Sequence, residues 1–169
     1  GLEKGHKVAI CSRNQANWAV AFLATMTYGA VPVPLLHEFK SANIHHLVNH
    51  SEAKILFVDD VIWEGLSESE MPDLQAIIQV NNFKILFAAD EHISDAKEHL
   101  NELFGKKFPE SFEPDMLDYY EDSADELAVI NYTSGTSGFS KGVMIPYRAI
   151  FSNMQFASQA LPQLNNKSK

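Results

Sequence analysis

Between residues 7 and 58 the chain alternates short unbroken apolar runs with helical patterns, and that alternation restricts the fold more than any other feature. Lys7 to Cys11 follows a Gly5-His6 turn and reads as a short strand. Asn14 is placed to cap a helix in which Trp18, Ala21, Phe22, Thr25 and Met26 recur at helical spacing until Gly29 stops it. Val31 to Leu35 reads as a second strand. Its Pro32 and Pro34 leave only alternate N–H donors, as suits a sheet edge or an irregular crossing. Ser41 is expected to cap a second helix with Ile44, Leu47 and Val48 on one face. Ile55 to Val58 is then a continuous apolar run of the kind buried on both sides of a parallel sheet. Strand–helix–strand–helix–strand at this spacing predicts an α/β fold: an open, mostly parallel sheet with right-handed crossovers and helices on both faces.

The second constraint is Ile130-Asn131-Tyr132-Thr133-Ser134-Gly135-Thr136-Ser137-Gly138-Phe139-Ser140-Lys141-Gly142-Val143. Apolar residues flank it, from Leu127 to Ile130 and from Val143 to Ile145, so it is expected to be a loop joining two strands. Its glycines allow positive φ and let several N–H groups turn toward one point. Such a nest, surrounded by hydroxyls and a lysine, attracts an anion with several oxygens, and a polyphosphate fits best. A flexible polar turn is the plainer alternative for a Ser/Gly-rich loop. The Walker A pattern and two serine-nucleophile patterns are excluded. A Walker A loop needs glycine before its lysine and Ser or Thr after it, where Ser140 and Gly142 stand. No G-x-S-x-G elbow occurs, and no serine stands three residues before Lys141, so a hydrolase using a loop serine lacks the required spacing.

Tyr132-Thr133-Ser134-Gly135-Thr136-Ser137-Gly138-Phe139-Ser140-Lys141-Gly142-Val143 resembles the phosphate-binding motif of the adenylate-forming (AMP-binding) superfamily, usually Y-T-S-G-T-T-G-x-P-K-G-V. That superfamily comprises acyl- and aryl-CoA synthetases, luciferases and the adenylation domains of peptide synthetases. Ser137 replaces a threonine and keeps the hydroxyl; Ser140 replaces a proline and removes no ligand. Tyr147 stands where a histidine is common, so no role is carried onto it. Gly5-His6-Lys7-Val8-Ala9-Ile10, Trp18, Gly29-Ala30-Val31 and Ser51-Glu52-Ala53-Lys54 resemble the region upstream of that motif, in the same order.

The resemblance implies activation of a carboxylate by ATP. The carboxylate attacks the α-phosphate, pyrophosphate leaves, and the acyl-adenylate is captured, usually by coenzyme A, with Mg²⁺ sharing the phosphate charge. It implies that Thr133, Ser134, Gly135, Thr136, Ser137, Gly138 and Lys141 bind the phosphates, with Lys141 as the catalytic cation that neutralises the leaving group. Likeness to fatty-acyl ligases points to a long-chain fatty acid as substrate. Members of the superfamily run to several hundred residues. The chain is therefore expected to be an N-terminal-domain fragment, incomplete ahead of Gly1 and inert alone, whose partners are small molecules and the remainder of its own polypeptide. A complete stand-alone, non-catalytic nucleotide-binding module is the alternative. The expected organisation is an α/β subdomain at 1–107, an acidic connector at 108–126, and the loop hairpin with its following helix at 127–169.

Composition narrows the setting. In 169 residues, a net charge of −9 argues against nucleic acid and against an anionic membrane surface. One cysteine, Cys11, suits a reducing compartment, and a cytoplasmic, soluble protein is expected. The opening Gly1-Leu2-Glu3-Lys4-Gly5 is polar and reads as no targeting peptide. The uncharged stretch from Asn14 to Leu36 reaches membrane-spanning length, but Gly29, Pro32 and Pro34 cut it, and no transmembrane segment is expected. Between Glu110 and Glu126 no Lys or Arg occurs, which suits a solvated loop better than a metal cluster.

Weaker signals complete the reading. Leu74 to Val80 and Lys84 to Ala88 look like strands, and Ser94 to Phe104 like a helix capped by Ser94 and stopped by Gly105. A last helix is expected from about Tyr147 to Ala160, with a polar tail from Pro162. His46 and His50 stand one helical turn apart with His45 beside them, a spacing that can bind zinc, yet no third ligand is placed and an exposed polar face is expected. His92 and His99 read as surface, Cys11 as a small core residue, and Trp18 with Phe22 as core packing rather than an acyl pocket.

Overall fold

The computed structural model describes residues 2–108, 111–116, 119–121, 123–133 and 140–165. Five strands form one sheet: β1 (Lys7–Cys11), β2 (Val31–Leu35), β3 (Ala53–Val58), β4 (Ala76–Gln79) and β5 (Ile85–Ala88). They lie in the order β2-β1-β3-β4-β5, all parallel except β5. The prolines of β2 sit on the outermost strand, where their missing N–H groups break no inner ladder. The β4–β5 link, residues 80–84, is too short for a crossover helix, so β5 must turn back. Phe83, at φ 57, closes that turn.

Helix α1 (Ala16–Thr27) lies against β1 and β2, and helix α2 (Ser41–His50) against β3. Along β1 the side chains alternate between faces. Ala9 and Cys11 join α2's Ile44, Leu47 and Val48 in the core, together with Val33, Leu56, Val58 and Ile77. Val8 and Ile10 are equally buried and point to the other face. Trp18 and Phe22 are half-buried and stack on each other, ring centroids 5.2 Å apart, while Ala21 and Thr25 are α1's buried residues. Expected packing of the two aromatics into the core is thus corrected to a stacked pair at its margin.

Capping departs from the sequence reading at both helices. Gln15 rather than Asn14 precedes α1, and Lys40 rather than Ser41 precedes α2, neither with a side-chain cap bond. Gly29 does end the first helical segment, and for two reasons. Its φ is +83, and a Cβ there would stand 2.7 Å from the Tyr120 ring. The helix expected over 94–104 is instead two: α4 (Glu91–Glu98), capped by the Asp90 carboxylate on the His92 N–H, and α5 (Leu100–Lys107), broken apart at His99, with Gly105 inside it. A short helix α3 (Asp60–Trp63) follows β3, and a final helix α6 (Tyr147–Asn165) runs through Pro162, beyond the stop expected there. Among the described residues no helix is long and apolar enough to cross a membrane.

Cys11 is fully buried, and its thiol donates to the Leu36 carbonyl at 3.7 Å. Burial first, then the carboxylates of Asp59 and Glu38, pushes the thiol from 9.0 up to about 12. Because the folded state keeps a proton that the unfolded thiol loses, stability falls as pH rises from about 9 to about 12. At pH 8 the native thiol should resist iodoacetamide and react once the chain is unfolded in urea; equal labelling rates would contradict this burial.

Candidate phosphate-binding site

The predicted loop sits on an antiparallel hairpin of β6 (Leu127–Thr133) and β7 (Lys141–Pro146). Toward the loop β6 alternates: Ala128, Val129, Ile130 and Tyr132 are buried, while Asn131 and Thr133 face solvent. Ile130 and Tyr132 join the same core as α2's apolar face, and β6 lies against β2. This seating fixes which way the loop end points, because a one-residue slip would turn every side chain to the wrong face.

The last register pair of the hairpin is Thr133 opposite Lys141, so the first hydroxyl residue and the lysine meet at the neck of the loop, both exposed. Of the other candidates, Ser134, Gly135, Thr136, Ser137 and Gly138 lie outside the described residues. One step below the neck, Tyr132 stands opposite Gly142. A Cβ on Gly142 would lie 3.2 Å from the Tyr132 ring and from Ile130, so the glycine keeps the ring flat over the strand. Burial raises the Tyr132 hydroxyl's pKa above its ordinary value. That hydroxyl shares a 2.7 Å hydrogen bond with Nδ1 of His50.

At the hairpin's base the Tyr147 N–H donates to the Glu126 carbonyl (3.0 Å) and the Arg148 N–H to the Ala124 carbonyl (2.9 Å). Arg148 also pairs with Asp125, and Lys4 with Glu126 at 2.9 Å. The base of the hairpin is therefore tied to its flanking segments, and at its neck Thr133 and Lys141 bring a hydroxyl and an ammonium opposite each other.

Sequence reasoning missed a second concavity. The first crossover places β2 on one side of β1 and the next places β3 on the other, and ligands in open α/β sheets favour the crevice where the order reverses. There a cavity of about 290 Å³ is lined by Arg13, Gln15, His37, Asp59, Asp60 and Asn81. Asp59 is buried; its carboxylate accepts from the Arg13 N–H and from Gln15 Nε2, each at 2.8 Å. The Asp59-Asp60 pair after an apolar strand signals this only once strand order is known. Two of the histidines on α2 are engaged in hydrogen bonds: His45 Nε2 accepts from the Ser67 N–H at 3.1 Å, and His50 is engaged by Tyr132. Among the described residues no group of three His, Cys, Asp or Glu is placed to hold a metal ion.

An open, mostly parallel α/β sheet followed by a hairpin whose connecting sequence is rich in glycine and hydroxyl residues and ends in lysine points to the adenylate-forming class. The AMP-binding enzyme family model matches residues 1–167, and the chain belongs to that family. It is 30% identical over 167 residues to a rat long-chain-fatty-acid–CoA ligase 5, covering 90% of this chain and 23% of that protein. With Arabidopsis thaliana long chain acyl-CoA synthetase 1 it shares 29% over 161 residues, again 23% of the relative's length. A solved structure of a long-chain-fatty-acid–CoA ligase from Archaeoglobus fulgidus is similar in fold, with TM-score 0.66, 24% identity and coverage of 93% of this chain and 28% of that one. The chain thus spans about a quarter of the length of these relatives.

Proposed function

We propose that the chain is part of the N-terminal domain of an ATP-dependent acyl-CoA synthetase that converts a long-chain fatty acid to acyl-AMP and then to acyl-CoA. The observation that carries this reading is the register that sets Thr133 opposite Lys141 at the loop's neck. In this reading Thr133, Ser134, Gly135, Thr136, Ser137 and Gly138 cradle the β- and γ-phosphates, and Lys141 follows the departing pyrophosphate as a mobile point charge. Mg²⁺ and coenzyme A act in the whole enzyme, in the cytoplasm. The long-chain preference rests on the names of the relatives, which are themselves fatty-acyl ligases. The division at 107/108 and 126/127 separates the sheet unit, an acidic connector and the start of the next subdomain.

Apolar side chains stand open to solvent on β7 and α6: Val143, Met144, Phe151, Met154 and Phe156. A face of this kind is ordinarily covered, which supports a larger parent and weighs against a self-sufficient module. ATP–pyrophosphate exchange tests the reading. The 169-residue chain alone should give no fatty-acid-dependent exchange, and the full polypeptide that carries it should. Exchange by the isolated chain would refute the fragment reading, and a full polypeptide without exchange would refute the enzymatic one.

A further inference from the structure

We propose that His50 is the positioning residue of the phosphate hairpin, acting through the hydroxyl of Tyr132. The proposal rests on the reading of the β6–β7 loop as a phosphate cradle. His50 is the last residue of α2, a helix whose Ile44, Leu47 and Val48 are each about 1% exposed, so its backbone stands on a rigid platform. From there its Nδ1 reaches, at 2.7 Å, a hydroxyl 82 residues further along the chain, and the two rings meet edge to face with centroids 5.8 Å apart. Packing alone would be served by phenylalanine at position 132, since the ring already fills the space over Gly142. The hydroxyl adds direction. It allows one depth and one rotation of the Tyr132 side chain, and β6 then has one register. The residue after Tyr132 is Thr133 and the residue before its partner Gly142 is Lys141, so the bond sets the two groups at the neck one residue away. His50 touches no phosphate in this scheme; it decides where the groups that do are held.

Two readouts separate this role from simple stability and from the phosphate reading itself. The first is amide hydrogen exchange of the hairpin in the full polypeptide, without ligand. His50→Ala and Tyr132→Phe should each speed exchange of the β6 and β7 amides about tenfold, the equivalent of one lost hydrogen bond. The β1 and β3 amides should be unchanged. The double variant should be no worse than either single one, and His50→Asn, which offers a polar atom near the place of Nδ1, should restore most of the protection. Unchanged hairpin exchange in His50→Ala, additive effects, or a uniform rise across the sheet would overturn the proposal. The second readout is binding of inorganic pyrophosphate, expected to weaken about tenfold in His50→Ala and to recover in His50→Asn. If the variants show the hairpin exchange pattern but the unaltered protein does not bind pyrophosphate, the cradle reading fails while the positioning of the hairpin by His50 stands.

Discussion

Replacing Lys141 by alanine in the full polypeptide is expected to slow acyl-adenylate formation by roughly 10²–10³-fold, while fatty-acid affinity changes less than about twofold. The difference follows from where the lysine stands. It is exposed at the neck of the hairpin, opposite Thr133 and away from the buried face of β6. In the proposed function its ammonium would track charge that grows on a leaving pyrophosphate, an interaction stronger in the transition state than in the ground state. Removing it should therefore lower kcat and kcat/KM together, without disturbing the core. Lys141→Arg keeps the charge but imposes a planar fork on a site built for a point charge, and should fall between the two. Single-turnover adenylation, measured beside fatty-acid binding, checks this. An unchanged adenylation rate removes Lys141 from the site.

The largest effect on stability is expected at Asp59. Its carboxylate joins the end of β3 to the turn after β1 by accepting from the Arg13 N–H and the Gln15 side chain. Its own N–H donates to the Cys11 carbonyl at 3.3 Å. Asp59→Ala would take the buried acceptor away from two part-buried donors, a loss of about 1–3 kcal/mol, or roughly 3–10 °C in melting temperature for a chain of this size. Asp59→Asn keeps the shape and one acceptor oxygen, and should lose about half as much. Thermal unfolding followed by far-UV circular dichroism measures both; an Asp59→Ala protein that melts with the parent would show that the tie does not hold the sheet together.

The relation between these two residues and the sequence differs. Lys141 was singled out from the sequence, because the composition of its loop and the resemblance of that loop to a phosphate-binding motif both lie within a dozen consecutive residues. Asp59 was not, because its importance depends on β1 and β3 being neighbours, a pairing between residues far apart in the chain. The same divide separates other elements. The five strand segments were legible as apolar runs, but their order was not. The reversal of β5 was within reach, since five intervening residues with Asn81 and Asn82 can only make a turn. Helix caps were misread at Asn14 and Ser41 because good capping side chains lie one residue from where packing starts each helix. The break at His99 between α4 and α5 interrupts a pattern that by periodicity alone is one helix.

By itself the sequence determined the alternating α/β character and the hairpin, because these depend on periods of two and 3.6 over short stretches of chain. Only the tertiary structure decided the seating of β6 against β2, the bond from His50 to Tyr132 and the tie at Asp59. Each joins segments distant in the chain, and no local propensity encodes which distant surface a strand will meet.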